Sequence, residues 1–301
     1  MNSANASSLF HYTKKMSTLK SIIANGLRFS FAYETYPIEV VKAELFPLNS
    51  EMFGDELFCN GVAIPMISLC DIPISRSIQH IGKYGKCAIG LNKELLIEQF
   101  QDLLNPVVYV TSPFLKDFII NNSIKLSNEY RSLLDKMISI SQTLQTQEEL
   151  NKFMDSNEFK NLTEDYFKSH FPYMIFIGLI KPAYDMEICY YDEREWRFIY
   201  PDGNKNAGDW EWNISEESYQ QSKELWNKEL NASSEFFIKP AEESISEIIT
   251  HIVVPKEKNI DSIIKLILES KTILGCDNIS YDSKLKIISK ISSLERIMNN
   301  Y

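Results

Sequence analysis

The sequence predicts an α+β protein: a sheet flanked by helices, with a helical segment inserted into it. Three observations carry this. Runs of β-forming residues and amphipathic helical stretches are interspersed without regular β-α alternation. No G-x-G-x-x-G and no Walker sequence follows any strand, which argues against a Rossmann or P-loop core. From Phe114 to about Phe171 the composition turns helical, with no Gly or Pro between Pro113 and Pro172. At 301 residues, 44% of them hydrophobic, the chain can bury a large core. It reads as a single domain, 1–301, with the helical insertion at 114–171.

The N-terminal "SSLFHYTKK" reads as a short strand running into a turn. "MSTLKSIIANGLRFS" reads as a helix with Leu19, Ile22 and Ile23 on one face. Ser17 or Thr18 is its expected cap and Asn25-Gly26 its stop, and Leu27 to Phe31 begins a strand. The following thirty residues, with Pro37, Pro47 and Gly54, read as a loop. Val62–Ile74 is rich in β-formers, and Pro65 and Pro73 place it at a sheet edge or rim. Lys86–Leu91 is a buried strand, Asn92 caps a helix from Lys93, and Asn105–Ser112 is a further strand.

Periodicity leaves Tyr173–Ile180 open between a helix end and a strand. Glu187–Pro201 is the clearest strand. A strand at Phe236–Lys239, a helical turn at Ala241–Ser246, a strand at Ile248–Val254 and a helix from Asn259 follow.

The net charge of −10 lacks the positive field that gives nonspecific nucleic-acid affinity. Cys59, Cys70, Cys87, Cys189 and Cys276 are odd in number and far apart, so reduced thiols in a cytoplasm are expected. His11, His80, His170 and His251 are equally scattered, and no zinc pattern occurs, so no metal is expected. The start lacks the basic and apolar regions of a signal peptide, and no apolar run could span a bilayer, so no membrane association is expected.

Period two along Glu187–Pro201 places Glu193, Glu195 and Arg197 on one face and Asp192, Arg194 and Trp196 on the other. Such a face is either a solvated Glu–Arg pair or a carboxylate aimed into a cleft. A fixed glutamate suits cleavage of the nicotinamide–ribose bond of NAD, because that reaction passes through an oxocarbenium-like state. Glu193 and Arg197 would set the orientation and charge of Glu195, and Ser68 in "MISLCD" would lie on the neighbouring strand. A nuclease built on Asp192, Glu193 and Glu195 ranks last, because Asp192 faces away from both glutamates on that strand.

"LFHYT…LKSIIANGLRFS", "PMISLCDIPIS…HIGKYGKCAIGLNKE…NPVVYV" and "DEREWRFI" together resemble the abortive-infection AbiGi family of phage defence. The resemblance covers roughly residues 9–112 and 172–270, and the "YGKCAIGL" and "EREWR" blocks weigh most. Members are often labelled antitoxins, which implies a partner. The order of blocks is also similar to DarT-type ADP-ribosyltransferases. There a His-aromatic-Thr strand, a central strand and a late glutamate strand surround NAD.

That resemblance implies an ADP-ribosyltransferase-like core with a split mixed or antiparallel sheet. It gives Glu195 as the catalytic carboxylate, with Glu193 as the second glutamate of an E-x-E pair. His11 and Thr13 would contact the nucleotide, and Tyr12 or Tyr84 would be the aromatic partner of the nicotinamide. The main expectation is therefore transfer of ADP-ribose from NAD to a nucleic-acid or protein acceptor in phage defence. The alternative is a non-enzymatic antitoxin that grips a partner through the helical insertion. The apolar spacing of Leu133, Leu134, Met137 and Ile140 fits such a surface as well as it fits a core. The enzyme reading requires His11 and Glu195 to line one concave pocket.

Overall fold

The computed structural model describes residues 7–36, 59–74, 78–101, 103–110, 113–144, 146–161, 164, 175–182, 190–200, 210–232 and 237–299. Strands β1 (Ser8–Thr13), β2 (Leu27–Arg28), β3 (Ser30–Thr35), β4 (Gly61–Cys70), β5 (Cys87–Asn92), β6 (Leu104–Pro106) and β7 (Val108–Val110) precede the helical segment. That segment contains the helices Pro113–Ser141 and Gln147–Met154. Strands β8 (Ile180–Pro182), β9 (Glu195–Ile199), β10 (Glu211–Ile214), β11 (Phe237–Ile238), β12 (Ile249–Val254) and β13 (Ile291–Ser293) follow it.

The main sheet runs β13-β12-β5-β1-β4-β9-β6, with β3 and β10 also paired to β4. It is mixed: β12 and β13 are parallel and the other pairs antiparallel. β7 and β8 form a separate parallel pair, and β2 with β11 another. Helices flank the sheet, and the chain is α+β as its patterning predicts. Among the described residues no helix is long and apolar enough to cross a membrane.

Sheet and helices enclose a large apolar cluster that includes Leu19, Ile23, Leu69, Ile89, Phe198, Ile252 and Ile263. A second cluster, with Val62, Ile64, Met66, Ile119, Ile177, Leu179, Ile180 and Ile199, lies on the other face of β4. β9 divides itself between them: Phe198 joins the first cluster and Ile199 the second, as period two requires.

Several local expectations hold. Asn92 accepts from the Glu94 and Leu95 amides and caps the helix Lys93–Phe100. Gly26, at φ 96°, stops the first helix and donates its N–H to the Ile22 carbonyl. Others are corrected. The first helix starts at Met16 after Lys15, with no side-chain cap from Ser17 or Thr18, since both already lie inside it.

β4 is an interior strand, flanked by β3 and β1 on one side and by β10 and β9 on the other. Pro65 fits there because the Pro65 carbonyl accepts from Tyr200 N–H at 3.0 Å. Its missing N–H therefore faces the interval between the β10 pairing, which ends at Ala63, and the β9 pairing, which starts at Met66.

Asn105–Ser112 is not one strand. Val107 donates to the Glu195 carbonyl, and the chain then leaves the main sheet to form β7; positions 111 and 112 lie outside the described residues. Among the described residues of Glu187–Pro201 the strand runs from Glu195 to Ile199, preceded by a 3-10 turn at Tyr190–Glu193. Positions 187–189 and 201 lie outside the described residues, as does most of the expected loop at 37–58. Within the helical segment Leu133 is buried and Ile140 half-buried, while the side chains of Leu134 and Met137 lie outside the description.

Candidate functional site

β1 pairs with β5 along its whole length but meets β4 at one position, Phe10 opposite Cys70. Past that point the two strands part, and a cavity of about 270 Å³ opens beside them. His11 and Tyr12 of β1, Ser68 of β4, and Glu195 and Arg197 of β9 all line it. His11 and Glu195 thus share one concave pocket, and Glu193 joins them. Thr13 does not line the cavity; it pairs with Cys87 at the end of β1.

Glu193 reaches the cavity by a route that strand alternation does not describe. The 3-10 turn ends at Glu193, and Arg194 takes a left-handed conformation at φ 43° before β9 begins. The Arg194 carbonyl then accepts from the Asp71 amide at 3.0 Å, which fixes the turn to the end of β4. Asp192 is exposed, apart from the two glutamates.

Six charged side chains meet here, three of each sign. Arg197, 1% exposed, donates from Nε to Glu195 Oε1 at 2.9 Å and from Nη2 to Glu195 Oε2 at 3.1 Å. It also donates from Nη2 to Glu34 Oε1 and from Nη1 to the Gly178 carbonyl, both at 2.7 Å. Lys181 donates to Glu193 Oε2 at 3.0 Å and to Glu195 Oε2 at 3.1 Å. Lys83 and the Tyr84 hydroxyl each donate to Glu193 Oε1 at 2.6 Å.

Burial alone would raise the Glu195 pKa, but Arg197 and Lys181 reverse that and hold it at about 2. The Glu193 carboxyl is likewise lowered: burial opposes ionisation, and Lys83, Tyr84 and Lys181 outweigh it. Burial, with Glu195 and Glu193 adding to it, pushes the Cys70 thiol up to about 12, so it stays protonated and is no nucleophile at neutral pH. His11 Nδ1 lies 3.0 Å from the Ser68 carbonyl, which can only accept, so Nδ1 carries the proton. Burial lowers the His11 pKa, which favours the neutral ring and leaves Nε2 as an acceptor.

A carboxylate has about four lone-pair sites. Three of those of Glu195 are taken, by Arg197 Nε on Oε1 and by Arg197 Nη2 and Lys181 Nζ on Oε2. A ribose hydroxyl has at most the second site of Oε1 to use without displacing one of these donors. Among the described residues no group of three His, Cys, Asp or Glu side chains is placed to hold a metal ion.

Lys83, Lys181, Glu34 and Tyr109 belong to this assembly without being legible in the sequence. Tyr109 accepts the Glu195 N–H through its hydroxyl at 2.9 Å. Each comes from a different element, and no local spacing links "GKYGK", "IKP", "YET" or "VYV" to "EREWR".

No curated protein and no solved structure gives a match to the chain. A family model does match over residues 48–251, well over half of the sequence, and its description is "Putative abortive phage resistance protein AbiGi, antitoxin". The stretch includes β4, β9 and every charged residue of the cavity except Glu34. The chain belongs to the AbiGi family.

Proposed function

We propose that this protein is the non-catalytic antitoxin of an abortive-infection pair and acts by binding its toxin. The family description supports the role. The observation that carries the non-catalytic part is the engagement of both Glu195 oxygens by Arg197 and Lys181, three hydrogen bonds from its own chain. A glutamate that stabilises an oxocarbenium-like centre needs its lone pairs and negative charge turned toward the substrate, and this one has committed three of about four lone-pair sites, and its charge, to Arg197 and Lys181. The cavity is then a neutralised structural core for the site.

The test pairs two measurements on the purified chain. Calorimetric titration with NAD is expected to show no binding, and nicotinamide release is expected at the level of buffer alone. Co-expression with the toxin gene of the same locus is expected to yield a complex that survives gel filtration and restores growth. Nicotinamide release that disappears in Glu195→Gln would overturn the non-catalytic reading. Failure to bind or neutralise the toxin would overturn the antitoxin reading.

A second reading is favoured by one observation: His11, Tyr12, Ser68 and Glu195 line a single cavity. In this reading the protein transfers ADP-ribose from NAD to a nucleic-acid or protein acceptor, and Arg197 or Lys181 must first release Glu195. Labelled ADP-ribose appearing on a macromolecule in lysate, dependent on Glu195, would establish it.

A further inference from the structure

The cavity's neutralising contacts come from an unexpected place. Tyr109 and Val107, which bond the Glu195 N–H and carbonyl, lie just before the long helix Pro113–Ser141. Gly178 and Lys181, which bond Arg197 and the two glutamates, lie at the far end of the helical segment, in the helix 175–179 and in β8. The two ends are joined to each other by the parallel β7–β8 pair, with Tyr109 opposite Lys181. They are also joined to the long helix by packing: Ile119 of that helix shares the second apolar cluster with Ile177, Leu179 and Ile180.

From these contacts we infer that the roots of the helical segment form a coupling device, in which a load on the segment is transmitted to the ion pairs that neutralise Glu195. The segment leaves the cavity region through β7 and returns through β8. A shift of the long helix moves Ile119 against Ile177, Leu179 and Ile180, and Lys181 and Gly178 travel with that backbone. The rest of the chain supplies β9 and β4 as a fixed frame, so the displacement falls on Lys181, the donor to Glu193 and Glu195, and on the Gly178 carbonyl that accepts from Arg197. Packed interiors respond to such displacements by switching between arrangements and not by stretching. The inference rests on the proposed function only in naming the toxin as the load.

Coupling is reciprocal, so it can be read in the opposite direction without any partner. Lys181→Met removes the ammonium and keeps most of the stem. Hydrogen exchange of peptides within Pro113–Ser141 is then compared with the native chain. At least a fivefold faster exchange across that helix is expected. Tyr109→Phe, which deletes one hydroxyl, is expected to give a smaller increase in the same peptides. Lys93→Met breaks the Lys93–Asp71 pair outside the cavity, and is expected to leave the helix unchanged.

Unchanged exchange in Pro113–Ser141 for both Lys181→Met and Tyr109→Phe overturns the device. An equal increase in all three variants also overturns it, since that reports general loosening. If Lys181→Met does not fold, Tyr109→Phe decides alone. None of these outcomes depends on whether the toxin binds, which the co-expression experiment settles separately.

Discussion

The ion pairs of the cavity and those on the helix surfaces use the same side chains and have opposite physical meaning. Lys125–Glu129, Lys152–Glu148 and Lys265–Glu269 are i,i+4 pairs whose side chains are about half to four-fifths exposed. They sit in water, are screened by salt and hold nothing else in place. The Arg197 and Glu195 side chains are 1% and 8% exposed, and their pair lies within a network of six charges. Stripping water from these groups is costly, so the network is tolerable only while each charge keeps its partners. Acidic and basic residues are spread along the whole sequence, and burial decides which of them matter.

The sharpest way to break this comparison is to remove the guanidinium. Arg197→Leu leaves Glu195 and Glu34 short of a cation and the Gly178 carbonyl short of a donor. A loss of ~3–5 kcal/mol of unfolding free energy is expected, because one partner of a buried pair is deleted and the other stays buried. Chemical denaturation measures it. Arg197→Lys should recover only part, since an ammonium cannot span the Glu195, Glu34 and Gly178 acceptors at once. A loss below about 1 kcal/mol for Arg197→Leu would put the network in the same class as the surface pairs.

Acid is the next lever. Glu195 is held at about 2, below its ordinary value of 4.5, so its contribution to stability is full above the ordinary value and is lost as the pH falls toward the lowered one. Between those two values unfolding free energy should decline with pH, and part of that slope should vanish in Glu195→Gln. The slope is the readout, because the substitution also changes the absolute stability. An unaltered slope between pH 4.5 and 2 would mean that Glu195 is not held ionised by Arg197 and Lys181.

The same contrast explains what the sequence could and could not reveal. The alternation that puts Glu195 and Arg197 on one face and Trp196 and Phe198 on the other is a property of five consecutive residues, and it survives in β9. Extending it back to Tyr190 fails, because the 3-10 turn and the left-handed Arg194 interrupt it, and no glycine marks that place. Asn92 and Gly26 were legible since capping and stopping are local. Pro65 misled, since whether a proline's missing donor harms a strand depends on which neighbour it faces. Lys83 and Lys181 were invisible as partners of Glu193: one belongs to the helix Ile78–Tyr84 and the other to β8, and only tertiary packing brings them together.

The smallest effect lies at the surface, and it sharpens the comparison from the other side. Lys152 and Glu148 pair at 2.8 Å, a better distance than either Lys181 contact in the cavity. Yet both side chains are more than 70% exposed. Lys152→Ala should therefore change unfolding free energy by no more than ~0.3–0.5 kcal/mol, and the difference should shrink as salt is raised. The helix Gln147–Met154 has its own support in the capping box of Thr146 and Glu149, which the substitution leaves intact. A loss of several kcal/mol there would mean that short distance governs these pairs more than burial does, and the reasoning applied to Arg197 would fail with it.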